Sequence, residues 1–320
     1  MMKMLAVVVA GVCIGATSGF ADQYPNRPIT IVVPSAAGGL GDILARLVGD
    51  KAGASLGATF IVENRPGASG AIGSTNVIRA APDGYTILLG NGASHGALPA
   101  LNKKLQYDPI KDFAPIARVG ETQLALVAST KLPVKNAQEL IAYARKNPGK
   151  LTYATFGHAS AGHLFGEVLK KENGVDMLHV PYKGEAAAIQ AVISGEVDLA
   201  MIVSAKPYVD QGQVTLIGTT SPDRTAAYPD WPTLASQGIR GFTQARGFQV
   251  FLAPVATPKT IVDKLANAFS DAISTPEIKR KLLELGVDPA SEKPEELPAL
   301  YRSLVDQWRS IVEASSVTAE

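Results

Sequence analysis

The sequence predicts an α/β fold with two doubly wound lobes and a cleft between them. Runs rich in Val, Ile and Leu alternate with helical segments of about 10–15 residues, which is typical of βαβ units and a parallel sheet. The 320 residues are enough for about two domains. Two glycine-rich segments, residues 35–42 and 155–163, each follow an early strand in one half of the chain. The same arrangement therefore occurs twice, once in each predicted lobe.

The first segment of the chain has the features of an export signal. Lys3 supplies a positive charge, residues 5–16 are twelve small or apolar residues, and small residues precede Ala21. Twelve residues are too few to cross about 30 Å of hydrocarbon as a helix. We therefore expect residues 1–21 to be a signal peptide cleaved after about Ala21, and the mature protein to be exported. Cleavage also removes Cys13, the single cysteine, so no disulfide is expected.

The elements of the first lobe follow from hydrophobic runs separated by Gly and Pro. Strands are predicted at residues 29–34, 59–63 and 85–89, and helices from about residue 43 and over residues 71–81. The turn residues Arg65-Pro66-Gly67 and Pro82-Asp83-Gly84 separate these elements. This series is short for a complete lobe.

A second series of elements begins at residue 124. It comprises strands at 124–129, 151–155, 178–180, 199–203 and 215–219, with helices at 137–147, 164–172 and 186–193. A strand at 248–253 and helices from 258, over 277–285 and over 295–314 complete the chain. Because the first lobe is the shorter one, we expect the chain to return to it near Gly247. The predicted lobes are residues 22–122 plus 247–320, and residues 123–246, with a hinge at the two crossings.

Charge and composition exclude several classes of function. The chain has 30 Lys and Arg against 29 Asp and Glu, a balance that argues against nucleic-acid binding. Four histidines are present, but His158 and His163 are five residues apart, which does not place them on one helical face, and no cysteine remains after cleavage. We therefore expect neither a metal site nor a cofactor. His179 is predicted to be a core residue of its strand.

The two glycine-rich segments are the main candidates for a binding site. In open parallel sheets, ligands bind beyond the carboxyl ends of the strands, where loops lead into helices. A helix N-terminus offers unpaired N–H groups and a partial positive charge, which together bind anions without Lys or Arg. If both loops face one cleft, each can hold a carboxylate. The alternative interpretation is that both are ordinary tight βα turns.

The motif Gly92-Ala93-Ser94-His95-Gly96 raises an enzymatic alternative. It fits the G-x-S-x-G pattern of a nucleophile elbow and follows a predicted strand. Pro99 and Pro109 weaken the long helix that should follow such an elbow, and the Ser…Asp…His order needs a histidine after His179, where none occurs. We therefore expect no enzyme, with an α/β serine hydrolase using Ser94 as the alternative. Ser94 and His95 are interpreted as a third cleft loop.

Several motifs resemble the substrate-binding proteins of the tripartite tricarboxylate transporter family, also called Bug receptors. They are residues 24–29 (YPNRPI), the Gly38-Gly39-x-x-Asp42 pattern, residues 62–68 (VENRPGA), residues 81–85 (APDGY), the loop 157–163 and residues 180–184 (VPYKG). The resemblance covers nearly the whole mature chain. It implies a periplasmic clamshell that closes over a small carboxylate, which the two loops recognise through backbone N–H groups, hydroxyls and ordered waters.

The resemblance and the loop positions together define the expected function. The ligand is expected to be a di- or monocarboxylic organic acid, with aromatic acids and amino acids included. The expected partners are the membrane subunits of such a transporter, with no nucleic acid, and the receptor is expected to be a monomer. Asp42 is interpreted as the cap of the helix from Ile43, because a carboxylate facing an anionic ligand repels it.

The expected ligand contacts come from both loops, the Ser94 segment and two further positions. Tyr182 can instead pack in the core at a strand end, and Phe248 is expected on the cleft floor. The predicted binding residues are Ser35, Ala36, Ala37, Gly38, Gly39, Ser94, His95, Thr155, Gly157, His158, Ser160, Ala161, His163, Tyr182 and Phe248.

Overall fold

The computed structural model describes residues 24–243 and 246–318, and the predicted signal peptide lies outside them. In the first half of the chain, strands and helices alternate up to residue 101. These elements are β1 (Ile29–Val33), α1 (Leu40–Leu56), β2 (Phe60–Asn64), α2 (Ala71–Ile78), β3 (Thr86–Asn91) and α3 (Leu98–Leu101), with a 3-10 turn at Ala68–Gly70 and a π-helical turn at Gly92–Ala97.

The middle of the chain forms a second alternating series. Its elements are β4 (Phe113–Thr122), β5 (Ala125–Ser129), α4 (Ala137–Lys146), β6 (Leu151–Thr155), α5 (Ala161–Asn173), β7 (Met177–Pro181), α6 (Glu185–Ser194), β8 (Leu199–Ile202), α7 (Lys206–Asp210) and β9 (Val214–Thr219). The C-terminal part contains β10 (Gly247–Pro254), α8 (Lys259–Ser274), α9 (Pro276–Glu284), β11 (Asp288–Pro289) and α10 (Leu297–Ser315).

The strands form two separate sheets, and the predicted α/β fold class with two doubly wound lobes is confirmed. The first sheet has the order β11-β4-β10-β3-β1-β2, and the second has the order β7-β6-β8-β5-β9. In the first sheet β1 is parallel to β2 and β3, while β10 is antiparallel to β3 and β4. The chain leaves the first sheet after Thr122 and rejoins it at Gly247.

Strand β4 was not predicted from the sequence. Its ten residues contain Pro115 and Gly120, which interrupt the β-branched pattern that indicates a strand. The strand is nevertheless paired on both sides, by β10 and β11, with two register shifts against β10. The partner strands supply the hydrogen bonds, so tertiary pairing overrides the weak local preference.

Helix α10 supports the turn that follows β3 and also contacts the second lobe. Trp308 on α10 is buried, and a Cβ atom placed on Gly92 or Gly96 would lie within 2.7 Å of its ring. The same indole ring meets Phe165 of α5 edge-on, with centroids 5.8 Å apart. Glycine at these positions therefore lets the turn lie directly on the indole. Within the described part of the chain, no helix is long and apolar enough to cross a membrane.

Candidate functional site: a cavity between the two sheets

A cavity of about 430 Å³ lies between segments that follow strands of both sheets. Its volume is within the range of about 300–1,000 Å³ that is usual for small-ligand sites. None of its lining residues among the described positions is Asp, Glu, Lys or Arg. The lining residues are Pro34, Ser35, Gly67, Ser69, Gly70, Asn91, Ala93, Ala97, Leu98, Leu101, Asn102, Phe156, His158, Ala159 and Ser160.

The first glycine-rich loop reaches this cavity only at its beginning. Ser35 lines the cavity, whereas Ala36, Ala37 and Gly38 are exposed to solvent outside the lining. Gly39 is the N-cap of α1, and it does not line the cavity either. Of the five residues predicted here, the structure therefore places one on the cavity wall.

Asp42 holds the first loop in shape. Helix α1 begins at Leu40, so Asp42 lies in its first turn and the expectation that it caps a helix from Ile43 was wrong. The Gly38 N–H donates to Asp42 Oδ2 at 2.9 Å, and Arg46 Nη2 lies 2.9 Å from Oδ1. These two groups lower the pKa of the Asp42 carboxyl below its ordinary value, so it is ionised at neutral pH. One N–H group that was expected to bind ligand is thus already used within the protein.

The segment after β2 contributes cavity residues that were not predicted from the sequence. Gly67, Ala68, Ser69 and Gly70 all have positive φ, at 123°, 47°, 52° and 95°. Two non-glycine residues in the left-handed region are unusual, and such strain is common at ligand sites. The turn Arg65-Pro66-Gly67 directly after a strand was visible in the sequence, but the position of Ser69 depends on this backbone path.

Asn91, at the end of β3, is the second missed contributor. Its Oδ1 accepts the N–H groups of Ala93 and Ser94, both at 3.0 Å, and so caps the turn at Gly92–Ala97. Its Nδ2 amide donates to no group in the described residues, and Asn91 is one of the residues that line the cavity. An asparagine at the end of a strand and before a helical turn is the sequence feature that could have indicated this residue.

Ser94 and His95 lie beneath the cavity wall instead of forming a cleft loop. Both are buried, and Ser94 Oγ shares a 2.9 Å hydrogen bond with His95 Nδ1. The His95 ring packs edge-on against Phe113 with centroids 4.8 Å apart. Burial lowers the pKa of His95 to about 3, which keeps the imidazole neutral. This burial contradicts the prediction that both residues contact ligand, because neither residue lines the cavity.

The same geometry gives no support to the nucleophile elbow. An elbow serine must be exposed at the top of the sheet, whereas Ser94 is 1% exposed. Its hydroxyl instead accepts the Asn91 N–H as part of a capping box. His95 Nε2 has no hydrogen-bond partner in the described structure, so no carboxylate orients the ring.

The second glycine-rich loop lines the cavity more fully. Phe156, His158, Ala159 and Ser160 are all on its wall. Ser160 is the N-cap of α5: its Oγ accepts the His163 N–H and donates to the Gly157 carbonyl at 2.7 Å. The first turn of α5 carries no acidic residue. This helix N-terminus therefore keeps its partial positive charge beside the cavity.

Three imidazoles lie next to one another behind this loop, and two of them form a stack. His158 and His163 have centroids 4.8 Å apart, and His163 lies 3.9 Å from His179 with the rings 7° from parallel. The Ala159 N–H donates to His163 Nδ1 at 3.1 Å, and Thr155 Oγ1 is 2.7 Å from His179 Nε2. Burial, and then the neighbouring imidazoles, lower the pKa of His163 and lower that of His179 to about 4. The neutral His163 ring therefore braces the cavity-lining residue Ala159.

The stack corrects the interpretation of His179 as a core residue, because its ring is half-buried and paired with another imidazole. In the described residues, no group of three or more His, Cys, Asp or Glu side chains has an arrangement that can hold a metal ion. Thr155 and His163 are buried supports of the loop, while Gly157 and Ala161 flank its cavity-lining part.

Two predicted positions on other elements lie away from the cavity lining. Phe248 is 1% exposed and meets Tyr301 edge-on within the core, so its expected place on the cleft floor was wrong. Tyr182 is half-buried at the surface, and its hydroxyl lies 3.1 Å from Glu196 Oε1.

Comparison with known proteins identifies the family. The model of the tripartite tricarboxylate transporter family receptor matches residues 44–317. The chain belongs to this receptor family. The resemblance found in its sequence motifs is thereby confirmed.

Three solved structures match nearly the whole chain. The periplasmic binding protein BugD is 35% identical, with a TM-score of 0.79, over 93% of this chain and 100% of its own. MatC from Rhodopseudomonas palustris, solved with bound malate, is 34% identical, with a TM-score of 0.77, over 90% and 100%. An R. palustris protein solved with adipate is 29% identical, with a TM-score of 0.82, over 92% and 99%. Family and fold are those of periplasmic solute-binding receptors.

Proposed function

We propose that this protein is a periplasmic receptor that captures a small carboxylate between its lobes and delivers it to the membrane subunits of a tripartite tricarboxylate transporter. It acts by binding and not by turnover. The observation that carries this proposal is the cavity between the two sheets, which offers hydrogen-bond donors but no acidic side chain among its lining residues. The malate and adipate bound by the two R. palustris proteins support the same class of ligand.

The donors that face the cavity suit a carboxylate. Ser35 and Asn91 come from loops of the first sheet, and His158 comes from the second. Ser160 also lines the cavity, but its hydroxyl already donates to the Gly157 carbonyl at 2.7 Å. Hydrogen bonds to an ionised acceptor are worth about 1.5–3 kcal/mol each, roughly twice the value for neutral pairs. Because the donors lie on both lobes, a ligand that contacts all of them stabilises a closed arrangement over an open one.

Thermal unfolding with a panel of organic acids tests this function. A bound acid raises the melting temperature by mass action, and a concentration of 100 times Kd stabilises the folded state by about 2.7 kcal/mol. We expect a shift with at least one small carboxylate and none with the corresponding amide or alcohol. A folded protein that responds to no mono- or dicarboxylate, amino acid or aromatic acid would refute the proposal. Native mass spectrometry of protein taken from the periplasm identifies any acid that remains bound.

A further inference from the structure

A second cavity, of about 530 Å³, lies on the first lobe beside the central one. Helix α2 and the segment 102–106, which follows α3, line it, and Asn102 lines both cavities. Among the described positions, its lining includes three basic residues, Arg65, Arg79 and Lys104, and no Asp or Glu. We call this cavity the α2 groove, and it is not part of the binding site described above.

Helix α2 presents one face to the groove. Ile72, Thr75, Asn76 and Arg79 all line it, and positions three, four and seven residues apart lie on the same side of a helix. Ile72 is 54% exposed, whereas none of the buried residues of α2 lines the groove. This face therefore combines an exposed apolar side chain with a cation about two turns further along the helix.

The positive charge of the groove is only partly compensated. Arg65 is paired with Glu63 at 2.7 Å. Arg79 Nη2 donates to Gln106 Oε1 at 2.8 Å, which is a neutral partner, and Lys104 is exposed. Neither Arg79 nor Lys104 forms an ion pair with a carboxylate in the described part of the chain. Two cations are thus available to an anionic partner.

The spacing of these groups favours an extended partner. Ile72 and Arg79 are seven residues apart, which is about 10 Å along the helix axis at 1.5 Å per residue. A small anion bound at Arg79 therefore cannot also contact Ile72. An extended peptide advances about 3.3 Å per residue, so about four of its residues cover this distance. A flat anionic membrane would meet the rim of the groove and leave its interior empty.

We infer that the α2 groove binds an extended acidic segment of the membrane subunits, with carboxylates at Arg79 and Lys104 and an apolar side chain at Ile72. The inference rests on the proposed function, because that function names the membrane subunits as the partners. Gly70, directly before α2, lines the central cavity, and Asn102 lines both cavities. A segment in the groove therefore lies beside the segments that hold the ligand.

Fluorescence anisotropy with a labelled acidic peptide tests the inference. The peptide alternates pairs of glutamates with single leucines, and the reference peptide has lysine in place of every glutamate. We expect the acidic peptide to bind and the lysine peptide not to bind. Arg79→Gln combined with Lys104→Gln should weaken binding of the acidic peptide at least about fivefold, because each exposed ion pair contributes only modestly.

Matched variants separate the groove from a general attraction. Lys146→Gln combined with Lys150→Gln gives the same net charge as the groove variant, and both lysines are exposed outside the groove. This control should keep the peptide Kd within about twofold. Ile72→Ser should weaken the peptide at least about threefold through the lost apolar contact. Val255→Ser, at a position that is also 54% exposed, should not.

The outcomes distinguish this inference from the proposed function. If the acidic peptide does not bind, or if both lysine-containing double variants weaken it equally, the inference is overturned. Binding of phosphatidylglycerol vesicles, but not of the peptide or of phosphatidylcholine vesicles, also overturns it in favour of a membrane surface. The groove variants should keep the thermal shift that the carboxylate panel gives, and its loss would overturn the assignment of these residues to docking. Failed peptide binding with a retained shift leaves the proposed function standing, whereas a folded original protein without any shift refutes that function.

Discussion

Asn91→Asp separates the two roles of one side chain. Asn91 Oδ1 accepts two backbone N–H groups at 3.0 Å and caps the turn after β3, and the same residue lines the cavity. Aspartate keeps the capping oxygen and is as good an N-cap as asparagine. The substitution replaces only the amide donor, and it puts a negative charge where a ligand carboxylate is expected to bind.

The expected effect on affinity is large. Two unit negative charges about 4 Å apart repel each other by about 4 kcal/mol at an effective dielectric constant of about 20. Each 1.4 kcal/mol changes Kd about tenfold, so this repulsion alone corresponds to a weakening of roughly a thousandfold. Asn91 is only partly buried, and water in the cleft screens part of the interaction. We therefore expect Kd to rise at least about 100-fold.

Isothermal titration of the tightest-binding acid, together with the melting temperature of the unliganded protein, measures both roles. The melting temperature should stay within about 2 °C, because the cap is retained. Asn136→Asp is the control for affinity: Asn136 caps α4 through a 2.8 Å bond from the Glu139 N–H and does not line the cavity. Its Nδ2 also donates to Glu139 Oε1 at 2.9 Å, so only the Kd of this variant is compared. That variant should keep the original Kd.

A single result would refute this reasoning. If Asn91→Asp is folded, keeps its melting temperature and binds the acid within threefold of the original Kd, then the cap amide does not face the ligand carboxylate. The carboxylate would then have to lie at another part of the cavity. Loss of affinity in both asparagine variants would instead indicate a general effect of added negative charge.

Three further predictions concern the groups that support the cavity. Burial lowers the pKa of His95 to about 3, so below the ordinary histidine pKa of about 6.5 the unfolded state binds more protons than the folded state. The free energy of unfolding, measured with urea, should therefore fall by about 3 kcal/mol between pH 6.5 and pH 4. His95→Gln should flatten that part of the pH profile. His163→Phe keeps a ring in the stack but removes the nitrogen that accepts the Ala159 N–H at 3.1 Å. Loss of this hydrogen bond, worth about 1 kcal/mol, should weaken ligand binding about fivefold in a titration. An unchanged Kd would show that the loop does not need this support. Gly70→Ala should lower the free energy of unfolding by at least about 2 kcal/mol, because φ is +95° and the new Cβ would lie 2.7 Å from the Cβ of Ser94. Gly212 has a φ of +66° with open space around it, so Gly212→Ala should cost only about 1 kcal/mol. Equal losses in the two variants would contradict the steric argument.

The strand and helix order was predictable because it depends on local hydrophobic periodicity. Strand β6 over Leu151–Thr155 was predicted with its observed bounds, and most other elements differ by one to three residues at their ends. Four elements, α3, β4, α7 and β11, were not predicted. In β4, Pro115 and Gly120 hide a strand that partner strands stabilise. Strand pairing is non-local, so periodicity within the segment does not reveal it.

Part of the cavity lining was predictable from the sequence, but the hydrogen bonding around it was not. Glycine-rich loops after parallel strands pointed to Ser35, His158 and Ser160, which line the cavity. The sequence did not show that Asp42 consumes the Gly38 N–H, or that Phe248 faces the core. Both depend on the direction in which a side chain or amide points, and that direction is decided by the neighbours it packs against.

The sequence alone determined the α/β class, the two-lobe order and the receptor family, because periodicity, turn residues and motif order are local properties of the chain. Only the tertiary structure decided which donors remain free. Ser94 and His95 are used as a buried pair, and Asn91 lines the cavity, although all three residues come from the same short segment. A hydrogen-bonding group is available to a ligand only when no closer partner satisfies it, and folding determines those partners.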